Sequence, residues 1–393
     1  MKKLLSLLLI FITLFLTSCR FHNQNEAFYD IRIGVILPLS GENKAYGKAA
    51  LDAVEMAVRE VNRKGGVNFR KIQLIIQNSA GNPEKAAALA DEMIEKDNIV
   101  AFLGAYSSEE ALQLKLTAEK HGVPYISPLS SCEKLTEHAS YTFQAAMSDE
   151  FQGAALASYL IFNRRAQKIA VLFNTAHGAM QQRALALRTA QALADFSSVE
   201  PLRLMYNSND KSFAKPIKKC ISEDINFIVL PEYAADALRF IVEARSLGYR
   251  GAFAGCDGYN DQILTGTAEN LGVCFFTSPY YENNKSEKNQ KFRELMQKYH
   301  KRTPTFAEAL SYDAVQLLLL ALENAYTPNE IAGNLKNMRS FQSVCGYLSY
   351  HVQRETLLRP AYIMGTSGGK TAPAHLSTVD AERLKNYRNR EED

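Results

Sequence analysis

Apolar positions along the chain follow two alternating rhythms. Residues 31–37 form a nearly continuous apolar run, as a strand covered on both faces does. Residues 47–62 then place Ala50, Leu51, Val54, Val58 and Val61 on one helical face, closed by Gly65 and Gly66. The alternation continues with strands at 72–77, 99–103 and 123–127, separated by helices at 83–96 and 109–121. Apolar strands set between amphipathic helices predict a parallel sheet with helices on both sides.

The rhythm restarts near Glu150. Helices at 150–162, 179–194, 212–221, 234–247 and 259–269 alternate with strands at 168–173, 202–206, 227–230, 252–255 and 273–277. Two successive series in 393 residues predict an α/β protein of two lobes. Long helices at 287–300 and 306–324 follow, then strands at 347–351 and 361–364. Residues 371–393 are rich in charge and are expected to form a frayed tail.

The first residues follow a different pattern. Lys2 and Lys3 precede an apolar run from Leu4 to Leu16. A spanning helix needs about 20 apolar residues, so this run reads as a leader over 1–18. It ends in Leu16-Thr17-Ser18-Cys19, which resembles the bacterial lipobox; Cys19 is the expected lipidation site. The other reading is an ordinary secretory leader with an unrelated cysteine. Residues 19–28 would be a polar tether from the lipid anchor, which lies on the extracytoplasmic face of a bacterial membrane.

Composition narrows the function. With 47% hydrophobic and 22% charged residues the chain is globular, and its formal net charge of +3 gives no basic excess. No nucleic-acid partner is expected. Beyond Cys19 there are Cys132, Cys220, Cys256, Cys274 and Cys345, none in a C-x-x-C pair. Buried thiols are the expected state; if one bridge forms, Cys256–Cys274 is the candidate, since both lie near strand ends.

Enzyme signatures are weak. The seven histidines form neither HExxH nor HxH, and no phosphate-binding GxxxxGK[ST] loop is present, so no metal and no cofactor is expected. Gly365-Thr366-Ser367-Gly368-Gly369 fits GxSxG formally. A nucleophile elbow needs a helix next and a later acid and histidine in order; no histidine follows Asp380, so the segment reads as a loop.

The segment Ile33-Gly34-Val35-Ile36-Leu37-Pro38-Leu39-Ser40-Gly41, followed by Tyr46-Gly47, resembles the opening of branched-chain amino-acid binding proteins that feed ABC importers. These have the periplasmic-binding-protein type I fold. The resemblance runs on through Asn62-x-x-Gly65-Gly66, Leu103-Gly104-x-x-Ser107-Ser108 and Val123-Pro124-x-Ile126-Ser127-Pro128. It continues through Lys168-Ile169-Ala170-Val171 and Gly255-x-Asp257-Gly258, covering about residues 30–370. It implies two lobes, each a mainly parallel sheet flanked by helices, joined by three crossovers and closing on a ligand. Lobe one would take 29–148 plus 281–346, and lobe two 149–280 plus 347–370.

The resemblance also implies a site. Ser108, Ser130 and Ser131 would hold an α-carboxylate, where free N–H groups at helix starts favour an anion. Both Ser107–Glu110 and Ser130–Glu133 also read S-x-x-E, so both fit capping boxes. Asp257 would neutralise an α-ammonium where most similar amino-acid binders carry Glu, or it would cap a helix. Tyr46 and Tyr233 match tyrosines that close over the ligand from the two lobes. Asp149 matches a polar position at the first crossover, as ligand contact or as a local hydrogen-bonding group. His177-Gly178 stands where the family often has Tyr-Gly, in a loop one residue short, and Leu129 replaces a small residue beside the carboxylate site. These departures reshape the pocket.

The reading is a lipid-anchored, extracytoplasmic solute-binding protein, a monomer and not an enzyme. It would capture a small zwitterion, an amino acid and branched-chain among the candidates, for an ABC permease. Alternatives are a sensory ligand-binding lipoprotein, an α/β enzyme using His177 in the cleft, and a surface antigen with a degenerate pocket.

Overall fold

The computed structural model describes residues 30–197, 200–260, 271–338, 340–350, 357–358, 360–367 and 370–377. The leader, Cys19 and the tether lie outside the described residues, as does most of the helix expected at 259–269. No described helix is long and apolar enough to cross a membrane.

Strand β1 (Ile31–Leu37) leads through helix α1 (Lys44–Arg63) to β2 (Ile72–Asn78). Helix α2 (Pro83–Asp97) has a proline in its first turn, Asn82 accepting from the Lys85 N–H, and left-handed Asn98 at its end. Then come β3 (Ala101–Gly104), α3 (Ser108–His121), β4 (Tyr125–Ser127) and β5 (Thr142–Gln144). All five strands pair in parallel in the order β2-β1-β3-β4-β5. The short, half-polar β5 has no clear sequence signal, and it lengthens the expected sheet by one strand.

The second series starts with α4 (Asp149–Ser158), which continues as a π-helical turn over Tyr159–Asn163. It proceeds through β6 (Ile169–Asn174), α5 (Met180–Phe196), β7 (Leu202–Tyr206), α6 (Ala214–Ser222) and β8 (Phe227–Val229). Helix α7 (Ala234–Ser246), β9 (Ala252–Gly255), a 3-10 turn at Asp257–Asn260 and β10 (Cys274–Ser278) complete it.

The chain then returns. Helices α8 (Glu287–His300), α9 (Phe306–Ala321) and α10 (Pro328–Lys336) precede β11 (Phe341–Ser343), β12 (Gly346–Tyr350) and β13 (Leu357–Leu358). Helix α9 packs on α1, and one core joins Ile33, Val54 and Leu103 to Phe292, Leu317 and Leu348. Strand β14 (Ala361–Ser367) instead pairs antiparallel with β10, and β15 (Lys370–Ser377) pairs with β14. The second sheet therefore runs β15-β14-β10-β9-β8-β6-β7, parallel except at its last two strands. Its faces bury separate cores, one around Val171, Val229 and Ile363, the other around Phe240, Phe253 and Phe276.

Two expectations are corrected. Residues 370–377 form a strand, so the regular chain extends past residue 370 into the segment read as a frayed tail. Pro373 is tolerated there because β15 is an edge strand, and the register shifts between Ile363 and Met364 opposite it. Gly365 to Ser367 lie in β14, whose antiparallel partner begins at Lys370, so the described part of the GxSxG segment is strand where a loop was expected. Cys132, Cys220, Cys256, Cys274 and Cys345 are unbridged, as expected, and all but the half-buried Cys132 are buried. The Cys256 thiol faces the Glu232 carbonyl at 3.9 Å instead of Cys274.

Candidate functional site

In open parallel sheets the loops at the strands' carboxyl ends gather at one edge. Both sheets turn that edge toward a common cleft, because contacts from the β3 and β4 loops reach residues of α5 and α7.

On the first lobe, Ser107 caps α3. Its hydroxyl accepts from the Glu110 N–H at 3.2 Å, and the Glu110 carboxylate reaches back to Ser107. Capping therefore falls to Ser107, and Ser108 occupies the first helical position, where its N–H has no partner within the helix. Ser108 is 1% exposed, and its hydroxyl lies 3.1 Å from that of Ser130. The second S-x-x-E does not form a capping box. Glu133 opens only a short 3-10 turn and pairs bidentately with Arg188 of the other lobe, Oε2 to Nη2 at 2.7 Å. A long-range ion pair has taken the glutamate that the local motif would use. Ser130 is held instead by the Gln144 amide, which donates to its carbonyl. Leu129 is 6% exposed and packs into the first core beside this segment.

Tyr46 and Tyr106 stack with ring centroids 4.4 Å apart and planes 12° apart, and Tyr106 meets Tyr233 at 6.3 Å. The three rings form an aromatic wall that runs from one lobe to the other. Tyr233 precedes α7; its hydroxyl donates to Gln181 Oε1, and Gln181 Nε2 donates to Ser131 Oγ. Ser131 and Tyr233 thus meet through a residue that the sequence does not mark.

Asp149 is 3% exposed at the start of α4, tied to Ser131 by its own N–H at 2.9 Å from the Ser131 carbonyl. Burial pushes its carboxyl well above the usual range, against a hydrogen bond from Ser131. Its Oδ1 has no hydrogen-bond partner among the described residues. Asp257 opens the 3-10 turn after β9. Its N–H donates to Gln152 Oε1 at 3.3 Å, and Gln152 Nε2 donates to its carboxylate at 3.4 Å. Burial pushes Asp257 up to about 6, with Gln152 and backbone N–H groups opposing. Gln152 is fixed further by the Thr277 hydroxyl at 2.8 Å.

His177 stands apart. It is exposed on the loop after β6 and makes no hydrogen bond to the other predicted residues. With Glu109 of the first lobe and Met180 and Arg183 of the second it lines an open groove of about 680 Å³. The structure therefore gathers Tyr46, Ser108, Ser130, Ser131, Asp149, Tyr233 and Asp257 around the cleft and leaves His177 at its edge. Tyr106, Gln152 and Gln181 join them without a sequence signal, since each acts through contacts distant in the chain. No group of three His, Cys, Asp or Glu side chains suited to a metal occurs among the described residues.

Comparison with known proteins agrees with this architecture. A Leu/Ile/Val-binding protein homolog of Brucella suis is 27% identical over 347 residues, covering 86% of this chain and 91% of that one. The branched-chain amino acid transporter substrate binding protein of Streptococcus pneumoniae, solved with isoleucine, is 26% identical. It superposes with a TM-score of 0.78 and covers 88% of this chain and 99% of its own. A leucine binding protein of Thermotoga maritima, 22% identical, shares the fold with a TM-score of 0.79, over 89% of this chain and 99% of its own. The family model described as periplasmic binding protein matches residues 30–370, and the chain belongs to that family.

Proposed function

We propose that this protein is the extracytoplasmic solute-binding component of an ABC importer and that it captures a small zwitterionic amino acid. The carrying observation is the division of polar groups between the lobes. Ser108, Ser130 and Ser131 converge at the start of α3 on one lobe, while Asp257 and Tyr233 stand on the other. Free N–H groups and hydroxyls suit a carboxylate, and an acid beside a tyrosine hydroxyl suits an ammonium. A ligand touching both ends favours the closed form through contacts available only when the lobes meet. The relatives named for leucine, isoleucine and valine support an amino acid, branched-chain ligands among the candidates. The aromatic wall of Tyr46, Tyr106 and Tyr233 offers an apolar surface for such a side chain.

The same reading takes Cys19 as a lipidated N-terminus that tethers the lobes to a membrane, where a permease receives the ligand. It assigns the chain no bond-making step, no cofactor and a monomeric state. Lobe one takes about 29–148 plus 281–350, since Leu348 packs in the first core, and lobe two about 149–280 plus 361–377.

Thermal unfolding of the mature protein with a panel of amino acids, amides and small carboxylates tests it. A ligand at a hundred times its Kd stabilises the protein by about 2.7 kcal/mol, a clear rise in midpoint. One or more amino acids are expected to give that rise, and Asp257→Ala is expected to abolish it. A panel with no response overturns the amino-acid assignment.

A further inference from the structure

Gln181 stands in the first turn of α5, and its amide joins two residues of the cleft. Nε2 donates to Ser131 Oγ across the lobes at 2.7 Å, and Oε1 accepts from the Tyr233 hydroxyl at 2.9 Å. Ser131 is hydrogen-bonded in turn to the buried carboxyl of Asp149. Donor first, the run is Tyr233 to Gln181, Gln181 to Ser131, and Ser131 to Asp149.

This run has a direction. The Gln181 amide sets it: the NH2 end only donates and lies on Ser131 Oγ, so Oε1, which only accepts, is the end that meets the Tyr233 hydroxyl. A tyrosine hydroxyl has one proton. With that proton given to Gln181, the phenol oxygen meets the cleft as an acceptor. Burial, and after it the charge of Asp257, disfavours ionisation of Tyr233, so the phenol keeps the proton it gives to Gln181.

We propose that Gln181 is a positioning residue for ligand selection: by holding the Tyr233 proton it makes Tyr233 an acceptor that selects ligands carrying an N–H donor. The inference rests on the amino-acid reading of the cleft. It assigns that selectivity to an amide that touches the ligand only through its neighbour. A purely structural role, closing the lobes through Ser131, would act on every ligand alike.

The probes are L-leucine and 4-methylpentanoate, which share a carboxylate and side chain and differ in the ammonium group. Their affinities are measured by calorimetry on the mature wild-type protein and on Gln181→Leu, Gln181→Glu, Tyr233→Phe and the Gln181→Leu/Tyr233→Phe double variant. Wild type is expected to prefer leucine strongly. Gln181→Leu should shrink that preference about tenfold, mainly by weakening leucine. Gln181→Glu keeps an acceptor for Tyr233 and should hold the preference within about threefold while losing the donation to Ser131. The double variant should discriminate no worse than Tyr233→Phe alone, because both changes remove one interaction. Equal losses for the two probes, an unchanged preference in Gln181→Leu, or additive losses in the double variant overturn the inference alone. If another amino acid of the panel binds instead of leucine, it and its deaminated analogue serve as the pair; if none binds, the inference falls together with its premise.

Discussion

Two carboxyls, one buried and one half-buried, shape how this protein should respond to pH. Glu232 is 2% exposed; its Oε1 accepts from Asn174 at 2.9 Å and from Tyr206, and its Oε2 has no partner among the described residues. Burial pushes it from 4.5 up to about 7. Between those values the folded chain keeps a proton that the unfolded chain has released, so stability falls as pH rises through that window. Glu232→Gln should therefore leave stability near its wild-type value below pH 4.5 and raise it by about 1–3 kcal/mol at pH 8. Denaturant unfolding at both pH values reads this directly, and an equal effect at both would remove the titration argument. Asp257 is pushed to about 6 by the same cause. Under the proposed function it must be ionised to hold an ammonium, so affinity should drop up to tenfold per unit below pH 6 and level off above it. A flat affinity profile from pH 5 to 8 would sink that role for Asp257.

Capping and the proposed ligand contact fall on different residues at the start of α3, where the sequence offers two adjacent serines. Ser107 makes the cap, and Ser108 faces Ser130. Ser107→Ala should cost about 1 kcal/mol of stability with little change in affinity. Ser108→Ala should instead lower amino-acid affinity about tenfold, and the reverse pattern in paired unfolding and calorimetry data would exchange their roles. The regular elements were legible where the pattern was strong. The apolar spacing of α1 and the unbroken strands β1, β6 and β10 are local signals that packing reinforces. Helix α10, which the apolar rhythm alone does not mark, carries a readable start signal in Thr327 and Glu330, which flank Pro328 in a capping box. Strand β15, with Ala372, Pro373 and Ala374, gives no strand pattern and exists because β14 offers a free edge. Ser130 and Glu133 fit a cap on paper, but Arg188 lies 55 positions away and no window along the chain shows it. The same holds for Gln181, 50 positions from Ser131 and 52 from Tyr233.

At the scale of the molecule, one face of α5 holds the two lobes together. Gln181 and Arg188, two turns apart on that helix, grip Ser131 and Glu133, two residues apart on the opposite lobe. The Arg188–Glu133 pair is only 22% and 18% exposed, so solvent screens it less than an ordinary surface pair. Arg188→Met should shift ligand-free protein toward an open form, seen as a larger radius of gyration in X-ray scattering, and saturating ligand should restore the compact value. No change in the ligand-free radius would mean that the pair does not bias closure. The return of the chain to both lobes has a further consequence, for timing. The first core lacks one side until α9 arrives to cover α1, and β10 has no neighbour on its outer side until β14 is made. Loops of such length are slow to close, and neither half can complete itself from its own early sequence. A ribosome would release nearly all of this polypeptide before either half could lock. Under the proposed function the chain is threaded through a narrow pore to the far side of a membrane, and that late finish would keep it pliable for as long as threading lasts.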